Sequence, residues 1–202
     1  NYGSQTIIPK EFESLVKNRN AFSIKPFLRA YDSILKEDIF DSVNELPFVI
    51  VGSGLAAIEV SYALRKRWRD RPLKLLCDSR KINNTILKSL RNSNIDLVEN
   101  LNFDYGKILL CTGNTSPLWV QKKLLDSDSN GRIITNQNLQ LKSFSGIFAV
   151  GDCAVVDSAK RPASGVFAVK VVNTLVKNLK KDLEGGSLKK WFPQKIGLQI
   201  VN

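Results

Sequence analysis

The sequence contains neither histidine nor methionine among its 202 residues. Without histidine, a histidine-based catalytic triad, a histidine metal site and an imidazole general base are all excluded. Any chemistry must therefore come from carboxylates, lysines, thiols or a bound cofactor. Because methionine is missing and the first residue is Asn1, we interpret the chain as a piece of a longer protein.

Cysteine is also scarce. The three cysteines lie far apart and form no C-x-x-C pair, and an odd number argues against a disulfide framework or a zinc site. No metal site is expected. We expect three reduced thiols that pack in the interior, at Cys77, Cys111 and Cys153.

Long apolar runs are absent as well. No stretch reaches the roughly 18 apolar residues of a membrane span, and the first residues do not resemble an export signal. The expected compartment is the cytoplasm. Lys and Arg outnumber Asp and Glu by 30 to 19, which gives a net charge of +11. The basic residues are scattered over predicted helix faces and turns, as in a solvated surface, so no nucleic-acid partner is expected.

The residues that are present predict an α/β fold. Hydrophobic residues make up 43% of the chain, enough for the core of one large or two small domains. The predicted elements are, in order, an amphipathic helix over 26–40, a strand and long helix in "FVIVGSGLAAIEVSYALRKRW", a strand in "LKLLC", a helix over 84–92, and strands in "IDLV" and "GKILLCTG". Alternating strands and helices predict a parallel sheet covered on both faces.

After Gly113 the pattern changes. We predict a loop and short helix in "NTSPLWVQKKLL", a small β excursion in "DSDSNGRIITNQNLQL" and a buried strand in "GIFAVGDCAVV". A single helix over "GVFAVKVVNTLVKNLKKDL" is expected to end at Gly185 and Gly186, before a strand-like tail in "WFPQKIGLQIVN".

A glycine-rich motif follows the strand at residue 48. "VIVGSGLAAIE" has the pattern G-x-G-x-x-A between a strand and a helix, which is the context of a dinucleotide-binding turn. Gly52 would allow the tight turn, Gly54 the close approach of a pyrophosphate, and Ala57 the packing of helix on strand. The helix N-terminus would then face the phosphates. A tight turn without a ligand is the alternative interpretation.

An acidic residue is expected about 20 residues further on, where it would bind the adenosine ribose. Asp78 in "LLCDSRK" fits this position. Arg80 and Lys81 lie two and three residues later and would instead suit a 2′-phosphate. The nucleotide could therefore be either NADH or NADPH, with NADH favoured.

A second acidic residue, Asp152, stands within the apolar stretch "FAVGDCAVV" directly after Gly151. An isolated Gly-Asp pair often only caps a turn. Here the pair lies between a strand that ends in "CTG" at Gly113 and a helix that opens with "SGVFAV".

This order of features resembles the pyridine nucleotide-disulfide oxidoreductase superfamily, flavoproteins with two dinucleotide-binding domains. Within it, "FSIKPFLRAYDSIL", "RPASGVFAVKVVNTLVKNL" and "WFPQKIGLQIVN" are similar to FAD-containing NADH dehydrogenase-like proteins. Those proteins occur alone or fused to selenide, water dikinase, and are relatives of type II NADH dehydrogenases.

The resemblance implies a Rossmann-like three-layer NAD(P)-binding domain plus the C-terminal part of an FAD-binding domain. It divides the chain into residues 1–47 (remnant of the FAD domain and linker helix), 48–113 (NAD(P)-binding βαβ domain) and 114–202 (C-terminal part of the FAD domain, up to the start of an interface domain). By position, the resemblance assigns NAD(P)H to Gly52, Gly54, Ala57, Glu59 and Asp78, and FAD to Gly151, Asp152, Gly165 and Val166; Gly113 is also counted as cofactor-binding.

The implied function is that of a flavin-dependent oxidoreductase, which passes hydride from NAD(P)H to FAD and on to a quinone or another small acceptor. No side-chain acid or base is required for that transfer. The resemblance leaves open a homodimer, a fused selenide, water dikinase domain and contact with a membrane surface.

One departure favours a different function. Such flavoproteins carry a first G-x-G-x-x-G unit for the ADP half of FAD, and residues 1–47 do not contain it. We therefore expect weakly held FAD. The alternative is a non-catalytic dinucleotide-binding or interaction module that has lost FAD.

Overall fold

The computed structural model describes residues 3–38, 46–117 and 125–194. Its backbone divides into two compact units. The first, here called the sheet unit, lies within Thr6–Gly113, and the second, the C-terminal unit, comprises residues 3–5 and the described part of 114–200. Each unit is described by itself.

The sheet unit contains a five-stranded sheet in which every strand pairing is parallel. From one edge to the other, its strands are Ala21–Ser23, Ile108–Leu110, Phe48–Val51, Leu73–Leu76 and Ile95–Val98. The elements that lie within this unit are α1 (Lys10–Lys17), β2 (Ala21–Ser23), α2 (Phe27–Asp38), β3 (Phe48–Val51), α3 (Leu55–Arg67), β4 (Leu73–Leu76), α4 (Asn84–Asn92), β5 (Ile95–Val98) and β6 (Ile108–Leu110). β1 (Gln5–Thr6) precedes them and β7 (Asn114–Thr115) follows them in the chain.

The central strand β3 is buried along its whole length, as its unbroken apolar run predicts. On one face of the sheet, residues of α2, α3 and α4 such as Ile34, Leu64 and Leu90 join one apolar core. On the other face, Phe12 of α1 packs with Val49 and Val51 of β3 in a second core. The three layers confirm the predicted α/β, Rossmann-like fold class.

The predicted boundary between residues 47 and 48 does not divide the structure. β2 pairs with β6 in the register Ala21↔Ile108, so the segment before residue 48 supplies an edge strand of the same sheet. Helix α1 and strand β2 were not predicted, because each is short and their apolar positions are few. The predicted helix 26–40 corresponds to α2, and its last two residues lie outside the described part of the chain.

A buried ion pair joins α2 to the residues that precede β4. Arg71 donates from Nη2 to Oε2 of Glu37 at 2.9 Å, and both residues are buried. The guanidinium also lies 4.6 Å from the ring centre of Trp68 and 5.2 Å from that of Phe48. The surrounding aromatic rings and Glu37 together replace the water that this charge loses on burial.

The C-terminal unit contains β8 (Ile133–Thr135), β9 (Ala154–Val156), α5 (Gly165–Lys170) and α6 (Val172–Leu183). β8 and β9 pair in parallel, and isolated bridges such as Gln140↔Phe148 complete the predicted β excursion. The helix predicted as one element is two, separated at Val171, and Gly185 follows with a φ of 69° as expected for a helix end.

The predicted continuous strand "GIFAVGDCAVV" is wrong in its middle. Only Ala154–Val156 is a strand, because Gly151 adopts a φ of 79° and starts a 3₁₀ turn over Gly151–Cys153. The predicted short helix after Gly113 and the predicted tail strand fall largely on 118–124 and 195–202, outside the described residues.

Candidate functional site

The turn between β3 and α3 is built around Gly52. Its φ is 145°, and a Cβ added there would lie 2.4 Å from the carbonyl oxygen of Cys111. The Gly52 N–H donates to the carbonyl oxygen of Leu76 at 2.9 Å, so the turn is held between β4 and β6. Only glycine fits this position, because its backbone conformation and its close packing on Cys111 leave no room for a side chain. This requirement holds whether or not a ligand binds.

Gly54 is different. Its φ of −90° and ψ of 170° are open to any residue, and an added Cβ would meet no atom within 4 Å. Packing and backbone conformation therefore do not require glycine at this point. A glycine beside open space is what a turn needs when a ligand must come close to the backbone.

Helix α3 begins directly after Gly54. The first N–H groups of an α-helix have no partner within the helix and carry a partial positive charge, which attracts phosphate. Ala57 is fully buried, and its Cβ lies 3.3 Å from the position of a Cβ added at Gly52, so a larger side chain would push the helix from the turn. Glu59 is exposed in the second turn of α3 rather than in the first, where it would face the phosphate end of the helix.

Asp78 stands just beyond the end of β4. Its N–H donates to Ser53 Oγ at 2.9 Å, which ties Asp78 to the glycine turn. Its carboxylate accepts hydrogen bonds from Arg80 Nε at 2.9 Å and Arg80 Nη2 at 3.1 Å, and Lys81 Nζ lies 3.6 Å away. The bond from the Arg80 side chain lowers the pKa of Asp78 to about 2.

The turn, Asp78 and neighbouring residues line one open cleft of about 870 Å³ within the sheet unit. It lies at the carboxyl ends of the parallel strands β3, β4, β5 and β6, the edge at which ligands bind in open α/β sheets. The polar and charged side chains on its wall are Glu11, Ser53, Asp78, Arg80, Glu99 and Thr112. Sequence analysis singled out Gly52, Asp78 and Arg80 but missed the others, because only the strand order brings them together.

Gly113 closes the loop that follows β6, with a φ of 96°. Its carbonyl oxygen accepts from the N–H of Ile7 at 3.2 Å, and Thr112 Oγ1 donates to the carbonyl oxygen of Ile7. These bonds give Gly113 a role in joining the first residues of the sheet unit to its last strand. It is not among the residues that line the cleft.

The three cysteines are free and buried. Burial raises the pKa of Cys111 to about 12 and also raises the pKa of Cys77. Cys153 Sγ donates to the carbonyl oxygen of Val150. Thiols in such surroundings are weak nucleophiles, so the geometry supports the predicted packing role.

The residues predicted to bind FAD lie in the C-terminal unit. The 3₁₀ turn that contains Gly151 and Asp152 packs against α5, which begins at Gly165. Asp152 is half-buried and accepts a hydrogen bond from Ser4 Oγ at 3.1 Å. Val166 is half-buried in α5, whereas Gly165 is exposed and an added Cβ there would meet no atom within 4 Å. All four residues thus belong to one turn and the start of one neighbouring helix.

No helix in the described part of the chain has the length and apolar composition needed to cross a membrane. Among the same residues, no group of three or more acidic and cysteine side chains is arranged to hold a metal ion.

No known protein-family profile matches the chain. Over 80 residues it is 32% identical to a protein of Dictyostelium discoideum named "Probable NADH dehydrogenase". The aligned segment covers 36% of this chain and 18% of that protein.

Two solved structures illustrate the likeness in fold. The water-forming NADH oxidase from Lactobacillus brevis bound to NADH has a TM-score of 0.64 at 19% identity, over 86% of this chain and 45% of that one. The reduced Bacillus anthracis protein described as CoADR-RHD has a TM-score of 0.68 at 16% identity, over 94% of this chain and 38% of that one. The chain thus spans less than half the length of each of these proteins.

The five-stranded parallel sheet with helices on both faces agrees with this likeness in fold. The chain has the Rossmann-like α/β fold of these two solved structures.

Proposed function

We propose that this chain is part of a flavin-dependent oxidoreductase, and that its cleft binds the adenosine and pyrophosphate part of NADH or NADPH. The observation that carries this proposal is Gly54, a glycine that neither its φ of −90° nor its packing requires, at the start of a helix. Close approach of a phosphate group explains it.

Two groups of the cleft would then bind the nucleotide. The first N–H groups of α3 would donate to the pyrophosphate. The Asp78 carboxylate would accept from a hydroxyl of the adenosine ribose. Arg80 already occupies part of that carboxylate, but an ionised carboxylate offers about four acceptor positions, so the ribose can bind beside the guanidinium.

We propose that FAD binds at Gly151, Asp152, Gly165 and Val166. The half-buried carboxylate of Asp152 and the exposed glycine at the start of α5 are groups that suit the polar chain of a flavin nucleotide. A bound nicotinamide supplies hydride and a bound flavin accepts it. The task of the chain would be to position the two rings and to exclude water.

For the final acceptor we propose a quinone or another small molecule. The Dictyostelium relative is named a probable NADH dehydrogenase and the Lactobacillus brevis enzyme a water-forming NADH oxidase, so relatives differ by name in this respect. Four further points remain predictions from the sequence: a cytoplasmic location, a homodimer, contact with a membrane surface, and fusion to a selenide, water dikinase domain.

The test of the nucleotide site is calorimetric titration of NADH into the wild-type chain and into Gly54→Ala. We expect the variant to lose at least tenfold in affinity, because its methyl group occupies the place of the phosphate, while its unfolding midpoint changes little. Equal affinity of the two proteins for NADH would reject the proposal.

The test of the enzymatic function uses the whole protein purified with FAD. We expect visible flavin absorption and NADH oxidation with a quinone or dye. NADH binding without any flavin binding would instead support the alternative, a dinucleotide-binding module that has lost FAD.

A further inference from the structure

The wall of the nucleotide cleft is acidic, although the chain as a whole carries a net charge of +11. Among the described residues that line it, three are carboxylates, Glu11, Asp78 and Glu99, and one is a cation, Arg80. An anionic ligand would gain little from such a wall except where the helix N-terminus and the guanidinium face it. The excess of carboxylates therefore needs a reason.

Glu99 lies at the end of the cleft that would hold the adenosine ribose. It follows β5 directly, and the pairing of Leu76 with Val98 puts Glu99 level with Cys77, the residue before Asp78 in the segment that follows β4. The N–H of Cys77 donates to the carbonyl oxygen of Val98 at 3.1 Å, which holds the two strand ends together at this point. Glu99 itself is exposed on the cleft wall.

Arg80 is the side chain that a 2′-phosphate would need. The Arg80 side chain is 88% exposed, but its guanidinium is bonded to Asp78 through two nitrogens. The hydrogen bond to Asp78 and the charge of Asp78 raise the pKa of Arg80, and the charge of Glu99 raises this pKa further. To bind a 2′-phosphate, Arg80 would have to break its hydrogen bonds to Asp78. The doubly charged phosphate would then lie near two negative charges, those of Asp78 and Glu99.

We propose that Glu99 is a specificity-determining residue of the cleft, which together with Asp78 favours NADH over NADPH. This inference rests on the proposed nucleotide site. Asp78 would accept from the ribose hydroxyl, whereas Glu99 repels any phosphate attached at the same place. The Asp78–Arg80 pair then serves to position the Asp78 carboxylate and does not serve as a phosphate receptor.

The size of the effect follows from Coulomb's law. If a doubly charged phosphate lies on the order of 10 Å from a carboxylate in water, the repulsion changes its affinity by about threefold at 10 mM salt. Reversing the charge should change it by about tenfold under the same conditions. Because the interaction acts through solvent, it should vanish at high salt.

The test measures the dissociation constants of NADH and NADPH for the wild-type chain and for Glu99→Gln and Glu99→Lys. We expect NADPH affinity to rise about threefold and tenfold, respectively, while NADH affinity stays within about twofold, and both gains should disappear in 0.5 M salt. Asp96→Asn is the matched control, since Asp96 is an exposed carboxylate on the same strand that pairs with Lys74 outside the cleft wall.

Two failures can be told apart. If the wild-type chain binds NADH but the Glu99 variants leave the ratio of the two affinities unchanged, or Asp96→Asn changes it equally, the role of Glu99 is wrong and the nucleotide site stands. If the wild-type chain binds neither nucleotide, the nucleotide site is wrong and the role of Glu99 with it.

Discussion

At the residue scale, the two glycines of the β3–α3 turn differ in what requires them. Gly52→Ala would place a methyl group 2.4 Å from the Cys111 carbonyl oxygen at a φ of 145°. We expect a loss of more than about 3 kcal/mol in the free energy of unfolding, from strain and overpacking together. Urea denaturation measures it.

Gly54→Ala is the control for that prediction. Its backbone suits alanine and its surroundings are open, so the free energy of unfolding should change by no more than about 1 kcal/mol. A Gly52 variant as stable as the Gly54 variant would show that the turn is not packed against Cys111 as described.

Asp78 allows a prediction about pH. Because Arg80 donates to its carboxylate and lowers its pKa to about 2, Asp78 should stay ionised as pH falls from 7 to 4 and gain a proton only as pH approaches 2. In Arg80→Gln the pKa should return toward the ordinary aspartate value of about 3.9. The carboxyl ¹³C shift of Asp78, followed by NMR over this range, reports both midpoints, and equal midpoints would contradict the contact.

At the scale of elements, the buried pair Glu37–Arg71 fastens α2 beside the start of β4. Glu37→Gln or Arg71→Met alone leaves an unpaired buried group, and each should cost about 3 kcal/mol of unfolding free energy. The double variant should cost less than the two single variants added together, because neither charge is then left alone.

The exposed pair Lys74–Asp96 is the comparison for the single and double variants of Glu37 and Arg71. Asp96 has 68% of its side chain exposed, so Asp96→Asn should change stability by less than about 1 kcal/mol. Strictly additive effects of the Glu37 and Arg71 variants in chemical denaturation would argue against the ion pair.

The elements also show where sequence-based prediction succeeds. β3, α3, α4 and β5 were predicted because each has a clear apolar period and a marked end, such as Asn83, whose side chain accepts from the Thr85 N–H at the start of α4. The strand through Gly151 was wrong because the apolar run continues across a glycine whose positive φ turns the chain. Apolar composition alone does not reveal such a turn.

At the scale of the whole molecule, every residue that lines the nucleotide cleft belongs to Thr6–Gly113. The two edge strands of the sheet, β2 and β5, and both apolar cores of the sheet unit also lie within this continuous stretch. A chain of residues 6–113 should therefore fold and bind NADH within about threefold of the affinity of the full chain, since no residue that lines the cleft is removed. Circular dichroism and calorimetric titration test this.

Sequence patterns predicted the α/β class, the glycine turn with its helix, and the acidic residue after β4, because these features depend on local periods and on spacing along one βαβ segment. The packing of the whole sheet was needed to show that β2 belongs to the same sheet, that Gly52 is required by Cys111, and that Glu99 lies on the same cleft wall as Asp78. Each of these depends on which strands are neighbours. Strand order is set by the packing of distant segments on a common core, and no local pattern records it.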